Sequence, residues 1–271
     1  MALSSFEDAG AVDAAVDAVV RGGVVGAHFG TVFGLIVDGS HDGVADEILR
    51  LKGSARGHKP LGACVTPARL VDAIDQTAVS KAVRAMVLAP WFSQQLAAMV
   101  AVRAPASADA NIPPALQSHV DGMAWVQVFD PMRMPGAATL IAALWQAGVK
   151  WVAATSMNES GQTEIVDIPD AVAFAKRHNL SMLFAPIAVH AAAGSLPILE
   201  LRPGGLRLDR HGIIAVDDLE RAIGQPIDTA AAVPAHFPPM TVPAGRLDDL
   251  APAEATAELL RLLYPTRSPA P

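Results

Sequence analysis

Short apolar segments typical of buried strands alternate along this chain with longer segments whose apolar residues recur at helical spacing. The predicted strands are residues 24–27, 35–37, 61–65, 125–129, 150–154, 181–186, 196–201 and 205–208. The predicted helices are residues 8–22, 42–51, 137–147, 168–179 and 216–223, with one or two more within 67–89. Strands that alternate with helices form α/β domains, so the pattern predicts an α/β fold with a mixed sheet.

The composition changes after residue 225, where alanine and proline become frequent and helix signals become few. We therefore divide the chain into a domain at 1–225 and a Pro/Ala-rich extension at 226–271 with one helix over 252–264. The extension either closes over the domain as a lid or mediates a homodimer, since a rigid strap and a loose tail have similar composition. Within the domain, 104–114 is predicted as a loop, and 94–102 is ambiguous between helix and strand.

Charge and composition exclude several classes of protein. The formal net charge of −7 disfavours a general nucleic-acid-binding surface. No uncharged run of about 18 apolar residues occurs, which predicts no membrane span, and the acidic N-terminal segment lacks the basic region of a secretory signal. We therefore expect a cytoplasmic protein. Cys64 is the only cysteine and lies in an apolar segment, which predicts a buried thiol. The histidines show no metal-binding spacing, so no protein-bound metal is predicted.

Four polar motifs carry the functional signal. They are HFGTVFGLI at 28–36, KGSARGHKPL at 52–61, TSMNESG at 155–161 and RHG at 210–212. Glycines allow close approach of backbone to a ligand, basic side chains neutralise phosphates, and Ser, Asn and backbone N–H groups at a strand end bind phosphate oxygens. Each motif alone also fits an ordinary turn or a solvated basic loop.

Taken in this order, the motifs resemble the YrdC-type threonylcarbamoyl-adenylate synthase family, of which this chain is a divergent relative. The family has P-T-D-T-V-Y-G-L, a basic K-x-R segment ending in P-L, then S-A-N-x-S-G and R-x-G. The resemblance implies a twisted mixed sheet flanked by helices around a deep electropositive cavity. It also implies a nucleotidyltransferase that joins ATP, bicarbonate and L-threonine for modification of adenosine 37 in certain tRNAs, with magnesium screening the phosphates.

The resemblance assigns roles position by position. Catalytic roles fall on Lys52, Arg56 and Thr31. The residues that would serve the nucleotide are Lys52, Lys59, Ser156, Asn158, Ser160 and Arg210. The residues that would face the acceptor substrate are His28, Phe29, Thr31 and Phe129.

The departures from the family pattern cluster on the acceptor side. Phe29 and Gly30 replace the first Thr and the Asp of P-T-D-T, and Ser54 replaces the Arg of K-x-R, with Arg56 two residues on. The family's R-x-P aligns here with Phe129-Asp130-Pro131. We therefore favour an enzyme that forms an adenylate or transfers a carbamoyl group, with an acceptor other than threonine and with bicarbonate or a carbamoyl donor as a further small-molecule substrate. The alternatives are the ordinary threonine-dependent synthase and a non-catalytic RNA- or protein-binding module.

Overall fold

The computed structural model describes residues 2–53, 59–186 and 192–265. Its helices are α1 (Ala9–Val20), α2 (Val44–Lys52), α3 (Pro67–Ala73), α4 (Lys81–Val87), α5 (Pro90–Gln94), α6 (Ala137–Gln146), α7 (Ile168–Arg177), α8 (Val216–Ile223) and α9 (Pro252–Leu263). Its strands are β1 (Ala2–Ser4), β2 (Val25–His28), β3 (Phe33–Asp38), β4 (Gly62–Cys64), β5 (Ala101–Pro105), β6 (Gln117–Val120), β7 (Met123–Phe129), β8 (Val152–Ser156), β9 (Met182–Phe184), β10 (Ile198–Arg202), β11 (Gly205–Arg210) and β12 (Ile227–Asp228).

The described strands form one mixed sheet, as the alternation of elements predicts. Its order is β1-β9-β2-β3-β8-β4-β7-β5-β10-β11-β12, and β6 pairs with β7. Parallel pairs such as β4–β7 and β5–β10 occur beside antiparallel pairs such as β3–β8 and β10–β11. The buried side chains of sheet and helices form one continuous core.

Local capping explains where several helices begin. The carboxylate of Asp8 accepts a hydrogen bond from the backbone N–H of Ala11 and so caps α1. The side chain of Ser80 does the same for α4, and that of Asp167 for α7. These are the small polar residues that satisfy the free N–H groups of a first helical turn. The sequence therefore specifies the starts of these helices locally.

Several details differ from the sequence predictions. The ambiguous segment 94–102 forms a 3-10 turn at Leu96–Ala98 and then the start of β5. The segment predicted as a loop at 104–114 contains the end of β5 and the 3-10 turn Ala108–Ala110. The sequence analysis missed β1, β6 and β12. It also ended the 150–154 strand too early, because β8 runs through Ser156 into the TSMNESG motif.

The C-terminal segment packs on the rest of the chain. Strand β12 pairs in parallel with β11, and Val233 exchanges backbone hydrogen bonds with Asp209 and His211. Helix α9 contacts α8 and α5, and its fully buried Thr256 donates to Oε1 of Gln95 at 2.6 Å. The helix predicted over 252–264 is confirmed. A division at residue 225 and a homodimer through this segment stay predictions.

The structure bears on two expectations from composition. The Cys64 thiol is fully buried, as predicted, and burial raises its pKa. Such a thiol stays protonated and packs as a small apolar side chain. Among the helices that the structure describes, none is both long and apolar enough to cross a membrane.

Candidate functional site

The polar motifs meet at a cavity on one face of the sheet. The cavity has a volume of about 130 Å³, which is room for several ordered waters or a small ligand group. Its lining comes from β3 and the turn before it, from β4, β5, β7, β8 and β11, and from the segments before β4, after β7 and before β10. The lining residues are Phe29, Thr31, Val32, Gly34, Pro60, Gly62, Ala101, Gln127, Phe129, Met134, Ala154, Thr155, Ser156, Ser195, Leu196 and Arg210.

Lys52 binds the TSMNESG loop through hydrogen bonds. Its side chain is buried, and the ammonium group donates to the backbone oxygen of Ser156 at 2.5 Å and to that of Asn158 at 2.7 Å. A third bond reaches Oδ1 of Asn158 at 3.0 Å. The backbone oxygen of Lys52 also accepts from the N–H of Ser160 at 2.9 Å. Because an ammonium has three N–H donors, Lys52 in this arrangement positions the loop.

The loop lines the cavity with two of its residues, Thr155 and Ser156. Ser156 lines the cavity, and its Oγ donates to Oδ1 of Asn158 at 2.6 Å. The amide of Asn158 in turn donates to the backbone oxygen of Gln162 at 2.6 Å, so the side chain of Asn158 is oriented at both ends. Ser156 is therefore the predicted loop residue that can meet a ligand directly, with Asn158 supporting it.

A β-bulge in β11 sets the side of the sheet on which Arg210 lies. Leu208 pairs with Leu199 and Arg210 pairs with Ile198, which leaves Asp209 as an extra residue between them. Strict alternation from Leu208 would give Asp209 the cavity side and turn Arg210 away. The bulge keeps Arg210 on the cavity side.

The guanidinium of Arg210 has an unused donor at the cavity. Nη2 donates to the backbone oxygen of Leu196 at 2.9 Å, whereas Nε is buried and has no hydrogen-bond partner among the described residues. Burial lowers the pKa of Arg210, and the nearby carboxylates of Glu164 and Asp209 oppose that shift. An arginine keeps its charge even so. A buried cation with a spare N–H favours an anionic ligand.

Gly212 allows the backbone after Arg210 to approach the segment before β10. A Cβ atom at Gly212 would lie 2.2 Å from the backbone nitrogen of Pro197 and 2.6 Å from the oxygen of Ser195. The backbone N–H of Ile213 donates to that same oxygen of Ser195 at 3.1 Å. The glycine of the RHG motif is thus required by packing.

Thr31 fastens the opposite wall of the cavity. Its hydroxyl donates to the backbone oxygen of Gly194 at 2.8 Å, and the N–H of Gly194 donates to the backbone oxygen of Thr31 at 2.9 Å. Beside it, Nδ1 of His28 accepts from the N–H of Gly30, and the His28 ring packs edge-on against Phe33. His28 is buried outside the cavity lining, whereas Thr31 lies within it.

Phe29 and Phe129 form an apolar wall. Their rings meet edge to face with centroids 6.3 Å apart, and both rings line the cavity. Gly34 makes room for them, since a Cβ there would lie 2.7 Å from the Phe29 ring. Gly30 has φ of +89°, a conformation that suits glycine and strains an aspartate. The backbone conformation of this turn therefore disfavours the Asp that the family has at this position.

Comparison with known proteins agrees with this architecture. No protein-family model and no curated protein matches the sequence. Among solved structures, P. abyssi Sua5 in complex with L-threonine superposes with a TM-score of 0.60 at 17% identity, over 85% of this chain and 65% of that chain. A second P. abyssi Sua5 structure is covered over 61% of its length. The chain thus spans less than two thirds of these relatives.

E. coli YciO matches with a TM-score of 0.58 at 13% identity, over 76% of this chain and 90% of that chain. The chain has a YrdC-like fold. Full-length HypF in its phosphate- and nucleotide-bound form matches with a TM-score of 0.52 at 14% identity, over 74% of this chain and 29% of that chain. At these identities the likeness establishes the fold, and the family predicted from the motifs agrees with it.

Sequence analysis missed three polar groups at or beside this cavity. Gln127 and Ser195 line the cavity but belong to no motif. Glu164 is buried next to the site and accepts a hydrogen bond from Nδ1 of His236 at 2.5 Å. Burial by itself raises the pKa of Glu164, but this hydrogen bond and the charges of Arg210 and His236 hold the pKa below its usual value. Gln127 could have been found from strand parity with Phe129, whereas the Glu164 pair joins distant segments without a local signal.

The remaining predicted residues lie elsewhere. Lys59 is exposed and outside the cavity lining, and Arg56 lies outside the described residues. Ser160 contributes its backbone N–H to Lys52. Across residues 2–53, 59–186 and 192–265, no three His, Cys, Asp or Glu side chains are placed to hold a metal ion. Direct roles in catalysis or binding stay predictions for all of the motif residues.

Proposed function

We propose that the chain is an enzyme that binds ATP with magnesium, with phosphate groups of the nucleotide at this cavity. It forms an adenylate or transfers a carbamoyl-type group to a small-molecule acceptor other than L-threonine. One observation carries the proposal: the cationic Arg210 and the hydroxyl of Ser156 face the same cavity as the apolar pair Phe29 and Phe129. A polar wall for phosphates and an apolar wall for an acceptor therefore share one enclosed space.

The polar wall fits a nucleotide phosphate. Arg210 has a buried Nε without a partner in the described part of the chain, and a phosphate oxygen satisfies such a donor. Ser156 adds a hydroxyl from a loop that Lys52 holds in place through three hydrogen bonds. A preorganised donor such as the Arg210 guanidinium stabilises charge that develops when pyrophosphate leaves.

The apolar wall disfavours a free amino acid such as threonine. Phe29 and Gly30 stand where the family has its first Thr and its Asp, and Phe29 packs against Phe129 across the cavity. The charged ends of an amino acid need charged or hydrogen-bonding partners when they are buried. The Phe29–Phe129 wall suits an apolar portion of the acceptor.

Two structural relatives have been solved with ligands that bear on the proposal. HypF, of which this chain covers 29%, has been solved in a phosphate- and nucleotide-bound form. Sua5, of which this chain covers 65%, has been solved in complex with L-threonine. Bound ATP would supply the adenylyl group and pyrophosphate as leaving group, with magnesium on its phosphates. Arg210 would bind phosphate oxygens, Ser156 would orient them, and the Phe29–Phe129 wall would exclude water from a hydrolysable intermediate.

A pyrophosphate-release assay with ATP, magnesium and bicarbonate tests the acceptor assignment. The proposal predicts that adding L-threonine leaves the rate unchanged, while ATP binds in the same preparation. Threonine-dependent release would instead support the ordinary synthase, in which other residues compensate for the replaced ones. If the chain binds no ATP but retains RNA in a low-salt gel shift, the result would support a non-catalytic binding module.

A further inference from the structure

The cavity face of the sheet continues as a row of aligned residues beyond the cavity itself. Gly62 of β4 pairs with Gln127 of β7, which opposes Arg103 of β5. Arg103 opposes Glu200 of β10, which opposes Arg207 of β11. Gly62 and Gln127 line the cavity. Because neighbouring strands lie about 4.8 Å apart, Arg103 is the next side chain outward from the cavity wall.

Three arginines surround one buried carboxylate in this row. Glu200 is 1% exposed. Its oxygens lie 3.0 Å from Nη1 of Arg103, 2.6 Å from Nη2 of Arg202 and 2.7 Å from Nη2 of Arg207. Asp209 adds a longer contact of 3.5 Å to Nη1 of Arg103. Three guanidinium groups thus contact two carboxylates, and Asp228 of β12, the residue paired with Arg207, adds a third carboxylate beside the cluster.

The arginine cluster also has unused donors. Nε of Arg103 and Nε of Arg207 have no hydrogen-bond partner within the described residues, and neither does the indole Nε1 of Trp125. The guanidinium carbons of Arg103 and Arg202 lie 6.0 and 5.6 Å from the Trp125 ring centroid. The three arginine side chains keep between 20% and 33% exposure, so solvent or a ligand reaches them.

Three guanidinium groups share the two oxygens of Glu200. Arg103 contacts Oε1, and Arg202 and Arg207 both contact Oε2. Like charges this close to one another repel. A bound anion relieves that repulsion. A tetrahedral dianion such as phosphate suits three converging guanidinium groups better than a carboxylate does, because each guanidinium group can bind two phosphate oxygens.

We propose that Arg103, Arg202 and Arg207 form a phosphate-binding subsite, and that the acceptor substrate carries a phosphate group there while its reacting end lies in the cavity. The identity of the bound molecule as the acceptor rests on the proposed function. The subsite itself rests on the aligned row and on the three partly exposed guanidinium groups that converge on Glu200.

Calorimetric titration of the full chain with inorganic phosphate at low ionic strength tests the subsite, because salt screens such contacts. The proposal predicts binding that weakens about tenfold in Arg207→Gln and in Arg202→Gln, the usual effect of losing a charge-assisted bond. Each variant leaves Glu200 with two arginines, so the fold is retained, and a melting curve checks this. Arg21→Gln, which removes an exposed arginine distant in sequence from this row, serves as the control and binds phosphate like wild type.

Trp125 offers a second readout. Phosphate should change the tryptophan fluorescence of wild type, and Trp125→Phe should bind phosphate without that change. Failure of wild type to bind phosphate, or an equal loss in Arg21→Gln, overturns the subsite.

A titration repeated in saturating ATP and magnesium separates the two proposals. If phosphate still binds, the subsite is free for a phosphate group of the acceptor. If ATP displaces phosphate, the nucleotide's own phosphates occupy the subsite, and the acceptor assignment is overturned. A chain that binds phosphate through these arginines but does not bind ATP keeps the subsite and contradicts the proposed function.

Discussion

The ammonium group of Lys52 lies 2.7 Å from the backbone oxygen of Asn158, and the backbone oxygen of Lys52 lies 2.9 Å from the N–H of Ser160. The last residue of α2 therefore holds the TSMNESG loop at two points. Since that loop presents Ser156 to the cavity, the position of a potential phosphate ligand depends on a residue that does not line the cavity.

Lys52→Met should destabilise the protein by about 1–3 kcal/mol, because buried carbonyl oxygens lose their donor. Denaturant unfolding measures the change. Lys81→Met, at an exposed position on α4, is the control and should change stability by less than about 0.5 kcal/mol. Equal stabilities of the Lys52 variant and wild type would show that the loop does not depend on this lysine.

Gly212→Ala should cost about 2–3 kcal/mol, because its Cβ would overlap the backbone of Pro197 and force a shift. The same shift should weaken any ligand held by Arg210. Gly204→Ala is a matched control, since a Cβ there meets no atom within 4 Å. Thermal melting compares the two variants, and similar melting temperatures would contradict the packing argument.

Thr31→Val keeps the shape of the side chain and removes its hydroxyl. We expect a loss of about 1–2 kcal/mol, because the oxygen of Gly194 loses its 2.8 Å hydrogen bond in a buried site. Thr163→Val, at an exposed position, should have little effect in the same unfolding experiment. Indistinguishable results for the two variants would mean that Thr31 does not fasten the 194 segment.

Glu164 should make stability depend on pH. Its pKa is lowered in the folded protein, so the unfolded chain takes up the proton more readily, and the contribution of Glu164 is present above its ordinary pKa of about 4.3. That contribution is lost as pH falls through the lower folded pKa. Wild type should therefore lose more stability on acidification than Glu164→Gln, and His236→Gln should reduce the difference. Parallel profiles of stability against pH for wild type and Glu164→Gln would refute this.

The sequence predicted the elements that local rules decide. Helix α8 was predicted with its observed bounds, and the alternation of strands with helices and the motif order led to the correct fold. The local rules failed where tertiary pairing decides. The bulge at Asp209, which keeps Arg210 on the cavity side, depends on register with β10. The Glu164–His236 pair joins residues 72 positions apart.

Lys52 shows what a motif leaves open. Its basic character predicted contact with a phosphate, which stays a prediction, and in the folded chain its ammonium group donates to the TSMNESG loop. A motif identifies a residue type in order along the chain, but it does not say which acceptors the surrounding fold brings within reach. Gln127 shows the converse, since a polar residue outside every motif reaches the cavity because it shares strand parity with Phe129.

The most direct test of the account is calorimetric titration of ATP with magnesium into wild type and into Arg210→Gln, each checked for folding. We predict saturable binding to wild type that weakens about tenfold or more in the variant, because a buried charge-assisted contact is lost. Absence of ATP binding to wild type, or equal affinity in both proteins, would contradict a nucleotide site at this cavity.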